Sequence, residues 1–204
     1  MTALKPRRIV LSNKEVETLL RVTLEGHIDL LPYQLFCIFA GIRPKEVERL
    51  VWANVDVQEG WIHVPEEASK TGDFRDVRIE PVLLRWLKYL KQRRCSMKAQ
   101  SPIAPKTKLR QRLRALRIAA GLGNWPQDAP RRTYASCWLA ANTDQNMLNR
   151  FMGHKSPDML YRHYHRAVTE REAKAFWQIG PPKPPTRRAK RDSGLPGSPA
   201  VLQN

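Results

Sequence analysis

The chain has 204 residues, 42% of them hydrophobic, which is enough for one domain with a real core. Its 36 Lys and Arg outnumber 19 Asp and Glu, and a formal charge of +17 is a self-repulsion that calls for a polyanionic partner, with nucleic acid the leading candidate. Cys37, Cys95 and Cys137 are too scattered for a disulfide framework or a zinc site and fit a reducing cytoplasm, while the apolar stretch 30–42, interrupted by Pro32 and Gln34, is too short for a membrane span.

In chain order, residues 1–10 form a basic segment containing Lys5, Arg7 and Arg8. Ser12 with Glu15 is a capping-box signature, and Val16, Leu19, Leu20 and Thr23 continue as a helical stripe, so a first helix begins near Asn13. Residues 31–40 read as a buried helix ended by Gly41, and Pro44 opens the next over 45–51, which leaves Arg43 in a tight corner. Residues 61–64 and 77–79 are strand candidates joined through the turn-like Lys70, Thr71 and Gly72.

Leu83, Leu84, Leu87 and Leu90 mark another helix. Leu109, Leu113 and Leu116 mark a further one, and its other faces and approach carry Lys106, Lys108, Arg110, Arg112, Arg114 and Arg117, the best placed cations for tracking phosphates. Short helices are expected over 130–141, 145–152 and 157–163. Thr169 with Glu172 then starts a last helix through Phe176 and Trp177. After Gly180 a Pro-rich and basic tail, 180–204, reads as disordered. The sum is a mainly α fold with a small antiparallel β-hairpin or sheet, one domain over 11–179. Trp52, Trp138 and Trp177 are core candidates.

Five segments carry chemistry-bearing residues in an order that resembles the tyrosine recombinases of the phage-integrase type. Gly41, Arg43, Pro44 and Glu46, followed by Leu50, Trp52 and Val55, resemble the first arginine motif. Ser69, Lys70, Thr71 and Gly72 resemble the β-hairpin lysine motif. Arg131, Arg132, Thr133, Tyr134, Ala135 and Ser136 resemble the second arginine motif. Met152, Gly153, His154, Lys155 and Ser156 are similar to the glycine-histidine motif, and Tyr164 falls in the tyrosine region. Each motif alone is weak, but their joint order over residues 11–177 is specific.

The resemblance implies a catalytic domain that cuts and rejoins DNA through a 3′-phosphotyrosyl intermediate without metal or cofactor. Arg43 and Arg131 would clamp the scissile phosphate with His154, Glu46 would support Arg43, Lys70 would protonate the leaving 5′ oxygen, and Tyr164 would attack. Arginine suits this work because its planar fork places two hydrogen bonds on one phosphate. The resemblance also implies double-stranded DNA as partner and a homo-oligomer on it, with helix 170–178 exchanged between neighbours. Family members carry a core-binding domain before this one, so a separate core-binding domain or accessory protein is a further implied partner.

Bland alternatives stand beside these roles. Arg43 can simply end a helix, Lys70 can be a solvated turn lysine, and His154 can be a helix C-terminal cation. Tyr161 competes with Tyr164, but in the family the nucleophile follows the motif histidine by about nine or ten residues, an interval that reaches His163 and Tyr164. Departures are Asp128, where a histidine is usual, Arg132, where a second histidine is common, and Pro130 in place of leucine. A carboxylate can accept a proton or orient Arg131 but cannot donate as an imidazolium does. A non-catalytic DNA-binding remnant and a type IB topoisomerase-like enzyme are the competing functions.

Overall fold

A computed structural model describes residues 10–93, 95–123, 125, 128–142, 144–153 and 168–182. Helix α1, Asn13–Gly26, starts at the expected capping box: the Glu15 carboxylate accepts the Ser12 amide at 2.6 Å, and the Ser12 hydroxyl accepts the Glu15 amide at 3.3 Å. Its stripe Val16, Leu19, Leu20 and Thr23 is buried. Helix α2, Leu31–Phe39, is apolar apart from Gln34 and buried at every position, covered by α1, α3 (Pro44–Val47), α4 (Pro81–Gln92) and α6 (Ala129–Ala141).

α3 is shorter than the helix expected over 45–51. Its last turn tightens as the Arg49 amide donates to the Glu46 carbonyl, and the following backbone is then taken by a distant segment. Trp52 and Ala53 donate to the Ser101 and Ala99 carbonyls, and the Ile103 amide donates to Leu50. A helix continuing through Val51 would forfeit these bonds.

The sheet is antiparallel in the order β1 (Val55–Asp56), β2 (Trp61–Val64), β3 (Arg75–Arg78), with Val55 opposite Ile62 and Ile62 opposite Val77. β2 lies where expected. β3 begins two residues before Val77 and ends before Ile79, and β1 adds a strand that the sequence does not signal, since two residues carry no periodicity. The β2–β3 connection contains Lys70.

α4 buries Val82, Leu83, Trp86, Leu87 and Leu90. α5, Leu109–Ala119, buries Leu116 and packs on α1. α6 begins one residue before Pro130, which takes the second helical position. α7, Gln145–Met152, packs on β3 and ends at Gly153, whose φ of +58° is the left-handed stop that favours glycine. The last described helix, α8 (Glu170–Phe176), opens with the Thr169/Glu172 capping box and packs on α6.

Phe176 is fully buried, its ring 5.1 Å from that of Phe39, and a burial of this size contributes about 2 to 3 kcal/mol. Trp52 and Trp138 are core residues, and Trp177 lies partly buried with its ring edge-on to Tyr134. The helix expected over 157–163 and the tail from residue 183 lie outside the described residues. No helix among the described residues is long and apolar enough to cross a membrane.

Candidate active site

Glu46 is the centre of the site. As the third residue of α3 it folds back so that its Oε2 accepts the Arg43 amide at 3.1 Å, half of a capping box. The same carboxylate accepts the Arg43 guanidinium at 3.0 Å, the Lys70 amide at 3.1 Å, and both terminal nitrogens of Arg75 at 3.2 and 2.5 Å. Burial alone would raise its pKa. The Arg75 bonds and charge, the Lys70 amide and Arg43 outweigh that and hold it at about 2. The fully buried Glu46 is therefore a fixed anion that ties the first arginine to the lysine turn.

The end of α7 organises the cations. A helix C-terminus leaves carbonyl oxygens without intrahelical partners and carries partial negative charge. Here three successive carbonyls are each taken by a different arginine. Arg75 Nε donates to the Phe151 oxygen at 3.0 Å, Arg131 to the Met152 oxygen, and Arg43 to the Gly153 oxygen at 3.1 Å. Arg131 also donates to the Gly41 carbonyl, so the corner between α2 and α3 fixes the second arginine as well as the first. Arg43 and Arg131 are thus anchored on adjacent carbonyls, and the residue following those carbonyls in sequence is His154.

The sequence profile of the Phage integrase family matches residues 10–171. The chain belongs to this family. No curated protein sequence matches it. Among solved structures, this integrase-family chain is similar to the XerA recombinase, at 19% identity over 88% of this chain and 68% of that one, with a TM-score of 0.64. It is similar to the catalytic domain of bacteriophage HP1 integrase, at 18% identity over 76% of this chain and 86% of that one, TM-score 0.61. It is also similar to the Tn1549 transposon integrase in complex with a circular intermediate DNA, at 15% identity over 86% and 67% of the two chains, TM-score 0.59. At these identities the likeness is one of fold, that of a tyrosine recombinase catalytic domain.

Within this integrase-family fold, the motif residues separate by exposure. Arg131 is 4% exposed, whereas the side chain of Arg43 is 18% exposed. Lys70 is exposed on a turn shaped by Ser69 and Thr71, whose hydroxyls lie 3.2 Å apart. Asp128 stands exposed at the N-cap of α6, and its side chain makes no capping bond to that helix. Arg132 is half-buried. His154, Tyr161 and Tyr164 lie outside the described residues.

The basic set on α5 divides by face. Arg110, Arg114 and Arg117 are spaced along one stripe, and Arg110 and Arg117 line a cavity of about 530 Å³ together with Lys45, Glu48, Trp125 and Pro130. That places the stripe beside the corner that carries Arg43. Arg112 points elsewhere, to Asp29 at 2.6 Å. The Arg117 guanidinium lies 5.7 Å from the centre of the Trp125 ring, and Lys106 and Lys108 are exposed before the helix.

Arg75 has no counterpart among the residues singled out from sequence. A signal for it exists, because strand alternation puts Arg75 and Val77 on one face, and Val77 is fully buried. A buried arginine on that face requires an acidic partner.

Proposed function

We propose that this chain cuts and rejoins double-stranded DNA by phosphoryl transfer to Tyr164. The observation that carries the reading is the anchoring of Arg43 and Arg131 on adjacent carbonyls at the end of α7, with Lys70 tied to the same Glu46 as Arg43. Such an arrangement fixes two guanidinium groups, and the backbone from which the Lys70 ammonium group extends, so that the arginines need little reorganisation when charge builds on a phosphate. The DNA complexes of the Tn1549 integrase support the same substrate class.

In this mechanism the Tyr164 oxygen attacks the scissile phosphorus and its proton passes to solvent. Arg43, Arg131 and His154 stabilise the non-bridging oxygens. The bond from phosphorus to the 5′ oxygen breaks as Lys70 protonates that oxygen, leaving a 3′-phosphotyrosyl ester. Attack by a 5′ hydroxyl reverses the step and joins the strand, and the ester conserves the bond energy meanwhile. Recombination would proceed between protomers assembled on DNA, with a core-binding domain or accessory protein completing the grip on the duplex.

The test is covalent trapping on nicked duplexes, with mass spectrometry to locate the linked residue. An adduct on Tyr164 that disappears in Tyr164→Phe is expected. An adduct on Tyr161 would move the nucleophile. A second reading, a DNA-binding remnant without cleavage, is favoured by Asp128 in place of the usual histidine, and it requires that Tyr164→Phe leave all activity unchanged.

DNA binding should weaken with salt as counterions are released. Replacing Arg110 and Arg114 together by Gln should lower the slope of log K against log salt by about 2, because two fewer phosphates are then neutralised. Arg112→Gln, on the face turned to Asp29, should leave the slope nearly unchanged. Fluorescence anisotropy across a salt series measures both, and an unchanged slope in the Arg110/Arg114 double variant would remove α5 from the DNA surface.

A further inference from the structure

Arg75, which is not among the motif residues singled out from the sequence, bridges Glu46 and the end of α7. It is 8% exposed and sits at the first position of β3, where the chain returns from the lysine-bearing connection. One end of its guanidinium grips both oxygens of Glu46, and its Nε holds the Phe151 carbonyl. The Lys70 amide donates to the same Glu46 oxygen that Arg75 Nη1 contacts. A Cβ added at Gly153 would lie 3.1 Å from Arg75 Cδ, so the end of α7 has closed directly onto this side chain.

We propose that Arg75 is a positioning residue for strand cleavage, holding the Lys70 turn in register with the end of α7 through Glu46 and the Phe151 carbonyl. The inference rests on the role proposed above for Lys70 as the acid. Arg43 keeps its own bond to the Gly153 carbonyl and its backbone bond to Glu46, so loss of Arg75 falls chiefly on Lys70. Lysine at position 75 would preserve the charge but not the fork that reaches Glu46 and Phe151 together.

Two measurements on Arg75→Lys test this. The first compares adduct formation on an ordinary nicked duplex with that on a duplex whose scissile 5′ oxygen is replaced by sulfur. A thiolate leaves without a proton, so a fault confined to the acid disappears on the sulfur substrate. Arg75→Lys should be slower by roughly tenfold to a hundredfold on oxygen, the scale of a misplaced catalytic group, and recover to within about threefold of the natural chain on sulfur, as Lys70→Ala should. Equal losses on both substrates would overturn the proposal.

The second is amide hydrogen exchange on the DNA-free protein. The Lys70 amide should lose protection in Arg75→Lys while the α2 amides keep theirs. Unchanged protection at Lys70 overturns the positioning role whether or not cleavage is seen. Absence of any adduct with the natural chain on either substrate counts against the cleavage reading alone.

Discussion

Glu46→Ala should cost about 3 to 5 kcal/mol of folding stability, measured by urea unfolding followed through tryptophan fluorescence. The substitution removes the carboxylate that both terminal nitrogens of Arg75 contact, and breaking a buried pair from one side leaves an uncompensated charge. Against a typical total of about 5 to 15 kcal/mol, that is a large fraction. Removing both charges, as in Glu46→Leu with Arg75→Met, should recover much of the loss, because the desolvation penalty goes with the pair. A double variant no more stable than Glu46→Ala would show that the site is held by something other than this pair.

The same residue sets a pH dependence. Its folded pKa of about 2 lies below the ordinary 4.5, so its contribution is complete above about pH 4.5 and is lost as pH falls toward 2. The stability gap between the natural chain and Glu46→Ala should therefore be constant from pH 7 to about 5. It should narrow by up to about 3 kcal/mol by pH 2. A gap that does not change with acid would mean that the Glu46 charge is not what stabilises the fold.

Gly41→Ala should cost about 2 to 5 kcal/mol. The left-handed φ of +61° accounts for about 1 to 2 of this for a residue with a side chain. The remainder is overpacking of about 1 to 3, because the new methyl would sit 2.3 Å from Cδ1 of the fully buried Tyr134. Gly60→Ala is the control. Its φ is +81°, but nothing lies within 4 Å of the added carbon, so only the backbone cost of about 1 to 2 kcal/mol applies. Equal shifts in thermal midpoint for the two would mean that the Tyr134 ring swings aside. Because the Gly41 carbonyl accepts from Arg131, Gly41→Ala should also slow adduct formation beyond what its effect on DNA affinity explains.

What is legible in the sequence is local. Ser12 with Glu15, and Thr169 with Glu172, are signals contained within four residues, and both helices begin where those signals stand. Gly41, Arg43 and Pro44 likewise describe a corner by backbone rules alone. The end of α3 is not legible, because what stops it is the segment around Ala99 and Ser101, remote in the chain and without a local mark. Arg75 escapes for the same reason, as its partners Glu46 and Phe151 lie 29 and 76 residues away. The lysine motif identifies Lys70, but its anchoring through a backbone amide on Glu46 belongs to the assembled fold.

The three arginines at the end of α7 have one further consequence, for how this segment tolerates change. Their acceptors are main-chain oxygens of Phe151, Met152 and Gly153, so these hydrogen bonds use no side chain there, although the left-handed φ of Gly153 and the nearness of Arg75 keep that position for glycine. Exchanging Met152 for a similar apolar residue that fits its buried space keeps all three. Inserting a single residue within α7 turns everything beyond it by about 100° around the helix axis and moves all three acceptors together. Within α7 the chain should therefore accept apolar replacements but reject a side chain at Gly153, and insertions or deletions as well, since the site depends on where a helix stops.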